Sequence, residues 1–237
     1  MSNIVSCSLG KDSVALLILM LENAIPVDRI VFADIGPEAE FEETYEFLRK
    51  VEQTLGVTIE QVRSNKWTWD SYFFSPCVKG ARIGRPHGFP PNSGRGRCSY
   101  KRELKTKPLD AAMGKGNTVF LGIAVDERER AEAKRYKNAP NEYRFPLVEW
   151  GITEAECRKL CEDRGLLHPL YKYFKRLGCW QCPNQSLDAL RTLRHNWPEK
   201  WMKLREYQLV CDWPYKTGAG DVEQLEKRFA KEDANNA

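Results

Sequence analysis

Three observations predict an α/β fold, a doubly wound, mainly parallel five-stranded sheet with a C-terminal helical extension. Short β-branched runs alternate with amphipathic stretches over the first sixty residues, a turn of small residues joins the first such run to the first helix, and the segments after residue 150 read as helices. The expected division is 1–150 for the α/β domain, with a long loop at 75–97, and 151–237 for the helical extension.

Residues 3–6 read as a strand and 12–23 as a helix that is apolar nearly all round and therefore buried. A second strand follows at 29–33. Residues 38–55 place Phe41, Tyr45, Leu48, Val51 and Leu55 at helical spacing, and 57–62 reads as a third strand. Strands alternating with helices imply parallel pairing and right-handed crossovers. The next strand is 118–123. Between them Trp67, Trp69, Tyr72, Phe73 and Phe74 crowd into eight residues, which reads as core packing rather than a base-stacking platform. Residues 75–97 then hold five glycines and four prolines in 23 positions, so no regular element fits there; a lid and a disordered segment are both open.

The helix beginning near Thr153 carries a capping box with Glu156 and ends at Gly165. Residues 187–210 read as one long helix with Arg191, Arg194 and His195 on a basic side, which suits a solvated face or a polyanion. A terminal helix over 221–231 and a polar tail over 232–237 complete the chain.

Composition narrows the function. With 42% hydrophobic and 30% charged residues among 237, a packed core is expected. The longest apolar run, 14–21, is far short of the roughly 20 residues a spanning helix needs, so a cytoplasmic protein without a membrane partner is expected. Eight cysteines and no secretion signal argue against a disulfide scaffold and for metal or sulfur chemistry. Residues 1–66 carry 6 basic and 11 acidic side chains, and the remainder carries 31 and 22; the positive part suits a nucleotide or nucleic acid.

Ser8-Leu9-Gly10-Lys11-Asp12-Ser13 lies between the first strand and the first helix. Small residues there let backbone N–H groups approach an anion, and the helix N-terminus adds its positive dipole end. Phosphate is the natural guest, while a plain N-capped turn is the alternative. The loop is not a Walker loop, because Gly-x-x-x-x-Gly-Lys-Ser/Thr is absent. Arg95, Arg97, Lys101, Arg102, Lys105 and Lys107 place six positive charges within 13 residues, opposed only by Glu103. On an α-helix Lys101, Arg102 and Lys105 share one face, which suits either a phosphate or sulfate clamp or a solvated helix. Cys179-Trp180-Gln181-Cys182 is a C-x-x-C, compatible with a metal, a cluster, a redox dithiol or a zinc half-site. Cys7, Cys157, Cys161 and Cys211 read as core residues. His87, His168 and His195 form no ligand spacing, and His168 before Pro169 reads as a turn residue.

The loop 8–13 resembles the PP-loop, Ser-Gly-Gly-x-Asp-Ser, of the adenine nucleotide alpha hydrolase superfamily, and in particular its phosphoadenosine phosphosulfate (PAPS) reductase branch; Leu9 stands in place of a glycine. Phe32-Ala33-Asp34-Ile35-Gly36-Pro37-Glu38 resembles the branch's second-strand segment. The stretch from Arg97-Cys98-Ser99 to Lys107-Pro108-Leu109 resembles its cysteine-and-basic helix, and Gly122 through Asp126 to Arg130 resembles its Gly-x-x-x-Asp-Glu-x-x-Arg strand end. The likeness runs from about residue 2 to 183 and rests on these pieces occurring together in order.

The resemblance implies that Ser8, Leu9, Gly10, Lys11, Asp12 and Ser13 hold the phosphates of ATP, PAPS or adenosine phosphosulfate (APS), with Asp34, Gly122, Asp126 and Arg130 also on the nucleotide. Lys11, Asp12, Lys101, Arg102 and Lys105 are then the expected catalytic residues, with Asp12 assisting magnesium or the loop itself, or serving as a cap. The separation of Cys98 from Cys179 and Cys182 resembles that in sulfonucleotide reductases holding a [4Fe-4S] cluster, but the expected Cys-Cys pair is broken here, and Cys77 is the expected fourth ligand. Without a fourth thiolate the cluster has an open iron, as in cluster-dependent tRNA thiolation enzymes of the superfamily. A four-thiolate zinc site is the competing expectation.

Thiol-dependent PAPS reductases carry Glu-Cys-Gly-Leu-His near the C-terminus, and these 237 residues contain no such motif. The function expected is therefore sulfur transfer: adenylation of a substrate oxygen by ATP, an external sulfur donor or thiol reductant, and a nucleic-acid or small-molecule sulfur acceptor. Sulfonucleotide reduction to sulfite, and a nucleotide- or nucleic-acid-binding module with structural zinc, are the alternatives. A homodimer is among the expected states.

Overall fold

The computed structural model describes residues 1–90 and 98–236. They form two compact units, each discontinuous in sequence: 1–34, 41–65 and 105–172 make the first, and 35–40, 66–90, 98–104 and 173–236 the second.

The first unit is built on a five-stranded parallel sheet in the order β3-β2-β1-β4-β5. Its strands are β1 (Asn3–Ser6), β2 (Arg29–Ala33), β3 (Glu60–Val62), β4 (Thr118–Leu121) and β5 (Glu142–Arg144). β1 is central and pairs with β2 through Val5 opposite Ile30, and with β4 through Val5 opposite Phe120. The expected third strand is laddered over its last three residues alone, and the fourth ends at Leu121. Both edges are short and partly exposed, which limits the unpaired backbone they present.

Helices α1 (Lys11–Glu22), α2 (Glu42–Leu55), α3 (Trp69–Phe74) and α4 (Lys107–Met113) follow, with a π-helical segment (Lys101–Thr106) before α4. α5 (Arg128–Ala131), α6 (Lys134–Lys137) and α7 (Pro146–Glu149) are single turns, and α8 (Glu154–Asp163) packs along α1. The run Val14 to Ile18 of α1 is entirely buried, matching its all-round apolar composition, and joins Val5, Phe47, Val51, Phe120, Cys157 and Cys161 in the main core. Residues 153–163 start as expected, with Thr153 and Glu156 satisfying one another's backbone amides.

The order 3-2-1-4-5 reverses direction between β1 and β4, so the carboxyl ends of these two strands flank the crevice where open sheets of this kind bind ligands. There the backbones meet. A Cβ added to Gly122, just after β4, would lie 2.7 Å from the carbonyl carbon and oxygen of Asp12 and from Cα of Ser13.

The second unit contains α3, α9 (Leu187–Asn196), α10 (Pro198–Leu209) and α11 (Val222–Asn236). The single long helix expected over 187–210 is two helices. Trp197 leaves the helical region at φ −135°, ψ 65°, and Pro198, without an N–H, starts α10 as its first residue. The expected tail is helical too, because its acids have partners. Arg194 bonds Glu226 at 2.8 Å and Asp233 at 2.6 Å, and Arg191 bonds Glu232 at 2.7 Å. The basic side of α9 is thus neutralised by α11 rather than by solvent or a polyanion. Of the aromatic cluster, Trp69, Tyr72 and Phe73 are buried as core, while Phe74 is half exposed.

His168, expected as a turn residue, is buried. It packs on Phe47 with ring centroids 4.6 Å apart, and its Nδ1 accepts the Leu170 N–H at 3.2 Å. Burial pushes its pKa down to about 4. The folded chain then binds fewer protons than the unfolded one below the ordinary histidine value. Stability from this group falls as pH drops through 6.5 toward 4, by roughly 3 kcal/mol in all. Chemical denaturation between pH 7 and 4 should show that slope, and His168→Gln should flatten it while lowering stability at pH 7. A second expectation concerns Gly122, whose steric cost is backbone against backbone. Gly122→Ala should lose about 1–3 kcal/mol in the same assay, whereas Gly178→Ala, with open space around it, should change little.

Candidate functional site

The chain leaves β1 at Ser6 and turns into α1 through Cys7 to Gly10. The turn requires Leu9 to adopt φ 61°, a left-handed conformation that favours glycine and costs a non-glycine residue on the order of 1–2 kcal/mol. The Leu9 side chain is buried in the main core, which offsets that strain. Gly10 precedes α1 without a side-chain cap.

Ser13 ties the turn together. Its Oγ accepts the Ser8 N–H at 3.1 Å, donates to the Gly10 carbonyl at 3.0 Å and lies 3.2 Å from the Ser8 hydroxyl. The Lys11 N–H is taken by the Tyr171 hydroxyl at 3.1 Å. The amides of Gly10, Asp12 and Ser13 have no acceptor among the described residues, so the start of α1 keeps open donors on the positive end of its dipole.

The side chains around the turn are engaged with one another. Lys11 Nζ bonds both oxygens of Asp12, at 2.8 and 3.0 Å, and Glu154 at 2.7 Å. Burial opposes the Lys11 charge, but these bonds outweigh it and raise the pKa; burial also raises that of Asp12, against the pull of Lys11. Asp126 receives the Glu154 N–H at 3.1 Å from each carboxylate oxygen and so anchors the start of α8. Arg130 pairs with Glu127 at the surface. Asp34 stands just past β2 as expected, almost fully buried, with its two oxygens held by Tyr45 at 2.8 Å and Arg63 at 2.7 Å.

Lys101, Arg102 and Lys105 lie in the π-helical segment, whose wider i→i+5 turn replaces the expected α-helical face. Arg102 is engaged by Glu103 at 2.8 Å. Arg95 and Arg97 lie outside the described residues.

The cysteines separate into those packed under the loop and those of the second unit. Cys7, Cys157 and Cys161 are buried in the first unit, and desolvation pushes Cys157 and Cys161 up to about 12, which keeps them as thiols; Cys211 is buried in the second unit. In the second unit Cys98 precedes a helical turn whose Lys101 N–H points at its sulfur at 3.5 Å. Burial raises the Cys98 pKa, the amides of Lys101 and Tyr100 oppose this, and charge on Cys182 adds to it. Cys179 and Cys182 both bear on Tyr215 in the same way. The C-x-x-C turn is fixed by Cys182 N–H to the Cys179 carbonyl at 3.2 Å, Tyr215 hydroxyl to the Cys182 carbonyl at 2.9 Å, and Lys216 Nζ to the carbonyls of Pro183 and Gln185 at 2.9 and 2.6 Å.

Among the described residues no three Cys, His, Asp or Glu side chains converge into a metal-binding group. By donor type alone, the thiols of Cys98, Cys179 and Cys182 suit iron or zinc. Cys77 is placed otherwise, its thiol directed at the Pro86 carbonyl at 3.8 Å. Glu154, Tyr171, Tyr215 and Lys216 had no signal in the sequence, because each acts on a segment more than 30 residues away.

Comparison with known proteins agrees with this architecture. An uncharacterized protein of Methanocaldococcus jannaschii is 29% identical over 217 residues, covering 86% of this chain and 41% of that protein, so the chain spans about two fifths of that relative's length. An uncharacterized 37.8 kDa protein of Escherichia phage 186 is 26% identical over 252 residues, covering 87% of this chain and 74% of that one. The PAPS reductase of Candida auris, solved as a phosphate complex, superposes with a TM-score of 0.51 at 15% identity, over 76% of this chain and 82% of that one. The family model of the phosphoadenosine phosphosulfate reductase domain matches residues 2–185, and with that span over the sheet and the C-x-x-C the chain belongs to the PAPS reductase domain family.

Proposed function

We propose that the chain is an adenine-nucleotide-dependent enzyme of sulfur transfer that activates a substrate oxygen by adenylation. The observation that carries this reading is the trio of open amides at Gly10, Asp12 and Ser13, set at the start of α1 where the sheet order reverses. Donors fixed before the reaction stabilise negative charge without reorganising. The substrate oxygen attacks the α-phosphorus of ATP, the bond to the bridging oxygen breaks, and pyrophosphate leaves with the electron pair. The proton of the attacking group passes to solvent.

The loop's side chains do not supply positive charge. Lys11 is shared by Asp12 and Glu154, and Asp126 adds a third carboxylate close by. The triphosphate therefore arrives with magnesium, for which Asp12 is the loop's own carboxylate. Without the cation, phosphate and carboxylates repel. In the second unit Cys98, Cys179 and Cys182 would hold a [4Fe-4S] cluster, which when bound supplies a site for exogenous sulfur. The protein's part there is to present three sulfurs on a turn fixed by Tyr215 and Lys216.

Anaerobically purified protein incubated with magnesium and ATP, or with PAPS, and analysed by mass spectrometry should give AMP-linked products and pyrophosphate from ATP. Sulfite from PAPS with no turnover of ATP would establish reduction instead. Glu154→Gln, which removes one of the two carboxylates on Lys11, should raise ATP affinity in EDTA several-fold in a binding titration. Iron and acid-labile sulfide should fall in Cys98→Ser, Cys179→Ser and Cys182→Ser and persist in Cys77→Ser; zinc without sulfide would support the structural-zinc alternative.

A further inference from the structure

Residues 76–86 fold into a hairpin. The Cys77 N–H bonds the Arg85 carbonyl at 2.8 Å, the Gly84 N–H bonds the Cys77 carbonyl at 2.9 Å, and Pro76 and Pro86 face each other at its base. No acidic residue occurs between Asp70 and Glu103, so the hairpin carries Lys79, Arg82 and Arg85 with no carboxylate of its own. Arg85 bonds Asp212 at 2.7 Å. Lys79 and Arg82 have no acidic partner among the described residues. Between these cations Val78 and Ile83 are 77% and 67% exposed.

Arg82 is held in a particular way. Its guanidinium lies 3.8 Å from the centroid of the Trp213 ring. The indole is itself fixed, its Nε1 donating to the Phe89 carbonyl at 3.2 Å. It packs against Gly88, φ 60°, where a Cβ would come within 2.5 Å of the ring. A planar cation on an immobilised aromatic ring is a stacking surface that also carries charge.

We propose that this hairpin, with the Arg82 and Trp213 stack, is a docking surface for single-stranded nucleic acid. Lys79 and Arg82 match a phosphate backbone, and unpaired bases cover Val78, Ile83 and the guanidinium plane. Duplex bases are stacked inside their helix and cannot do so. An acidic peptide would satisfy the cations but offers no planar faces to the stack. The surface lies wholly in the second unit and does not rest on the nucleotide reading, so binding here and turnover of ATP succeed or fail separately.

The test is fluorescence anisotropy of the whole chain with labelled single-stranded RNA and DNA of about 20 nucleotides, at about 0.1 M salt. Saturable binding that weakens as salt rises is expected. Lys79→Glu and Arg82→Glu should each weaken it about tenfold or more. Arg82→Lys, which keeps the charge and loses the plane, should weaken it less but measurably. Lys115→Glu, an exposed lysine on the first unit, should leave it unchanged, and circular dichroism should show every variant folded. Lys79 stands at the exposed tip, so its variant decides the matter even where an Arg82 variant fails to fold. Wild-type affinity in Lys79→Glu, a blunt duplex bound as tightly as the single strand, or polyglutamate bound in place of either oligonucleotide would each overturn the proposal.

Discussion

The close approach of the turns after β1 and β4 constrains everything else in the first unit. Gly122 lets the backbone of residues 12 and 13 rest directly on the end of β4, at the place where the sheet reverses its strand order. That contact fixes where α1 begins. With the first amide taken by Tyr171 and Ser13 closing the turn, the amides of Gly10, Asp12 and Ser13 have no acceptor among the described residues. Leu9 accepts an unfavourable backbone conformation to complete the turn, and does so because its side chain has a place in the core.

This division of labour between backbone and side chains shapes the chemistry. A lysine beside a phosphate loop invites the view that its ammonium meets the phosphate, but here two carboxylates claim it. In the proposed function, anion recognition falls to donors that carry no formal charge, which makes it geometric: the shape of the turn decides it, and a cation accompanying the ligand compensates the acids nearby. The cysteine region follows a similar logic, since the C-x-x-C owes its shape to backbone carbonyls captured by Tyr215 and Lys216.

Much of the fold was legible because it depends on local pattern. Four strands, the buried first helix and the capped helix at Thr153 all follow from spacing and capping residues. β5 was not, since Glu142-Tyr143-Arg144 is a three-residue edge strand without an apolar alternation to announce it. The break at Pro198 stood in the sequence, but the helical periodicity continues on both sides and masks it. In the site, the loop and the C-x-x-C were legible as motifs. What the sequence alone could not reveal is who neutralises whom: Glu154 reaches Lys11 across 143 residues, and Glu232 reaches Arg191 across 41. Such pairings depend on the sheet having formed, and no local rule anticipates them.

In the proposed function the start of α1 holds phosphate through its backbone. A proton–nitrogen NMR titration with magnesium and ATP reads those amides one by one. The resonances of Gly10, Asp12 and Ser13 should move first and farthest, with saturation at a common affinity. Saturable ATP binding that leaves these three unmoved would contradict the account outright.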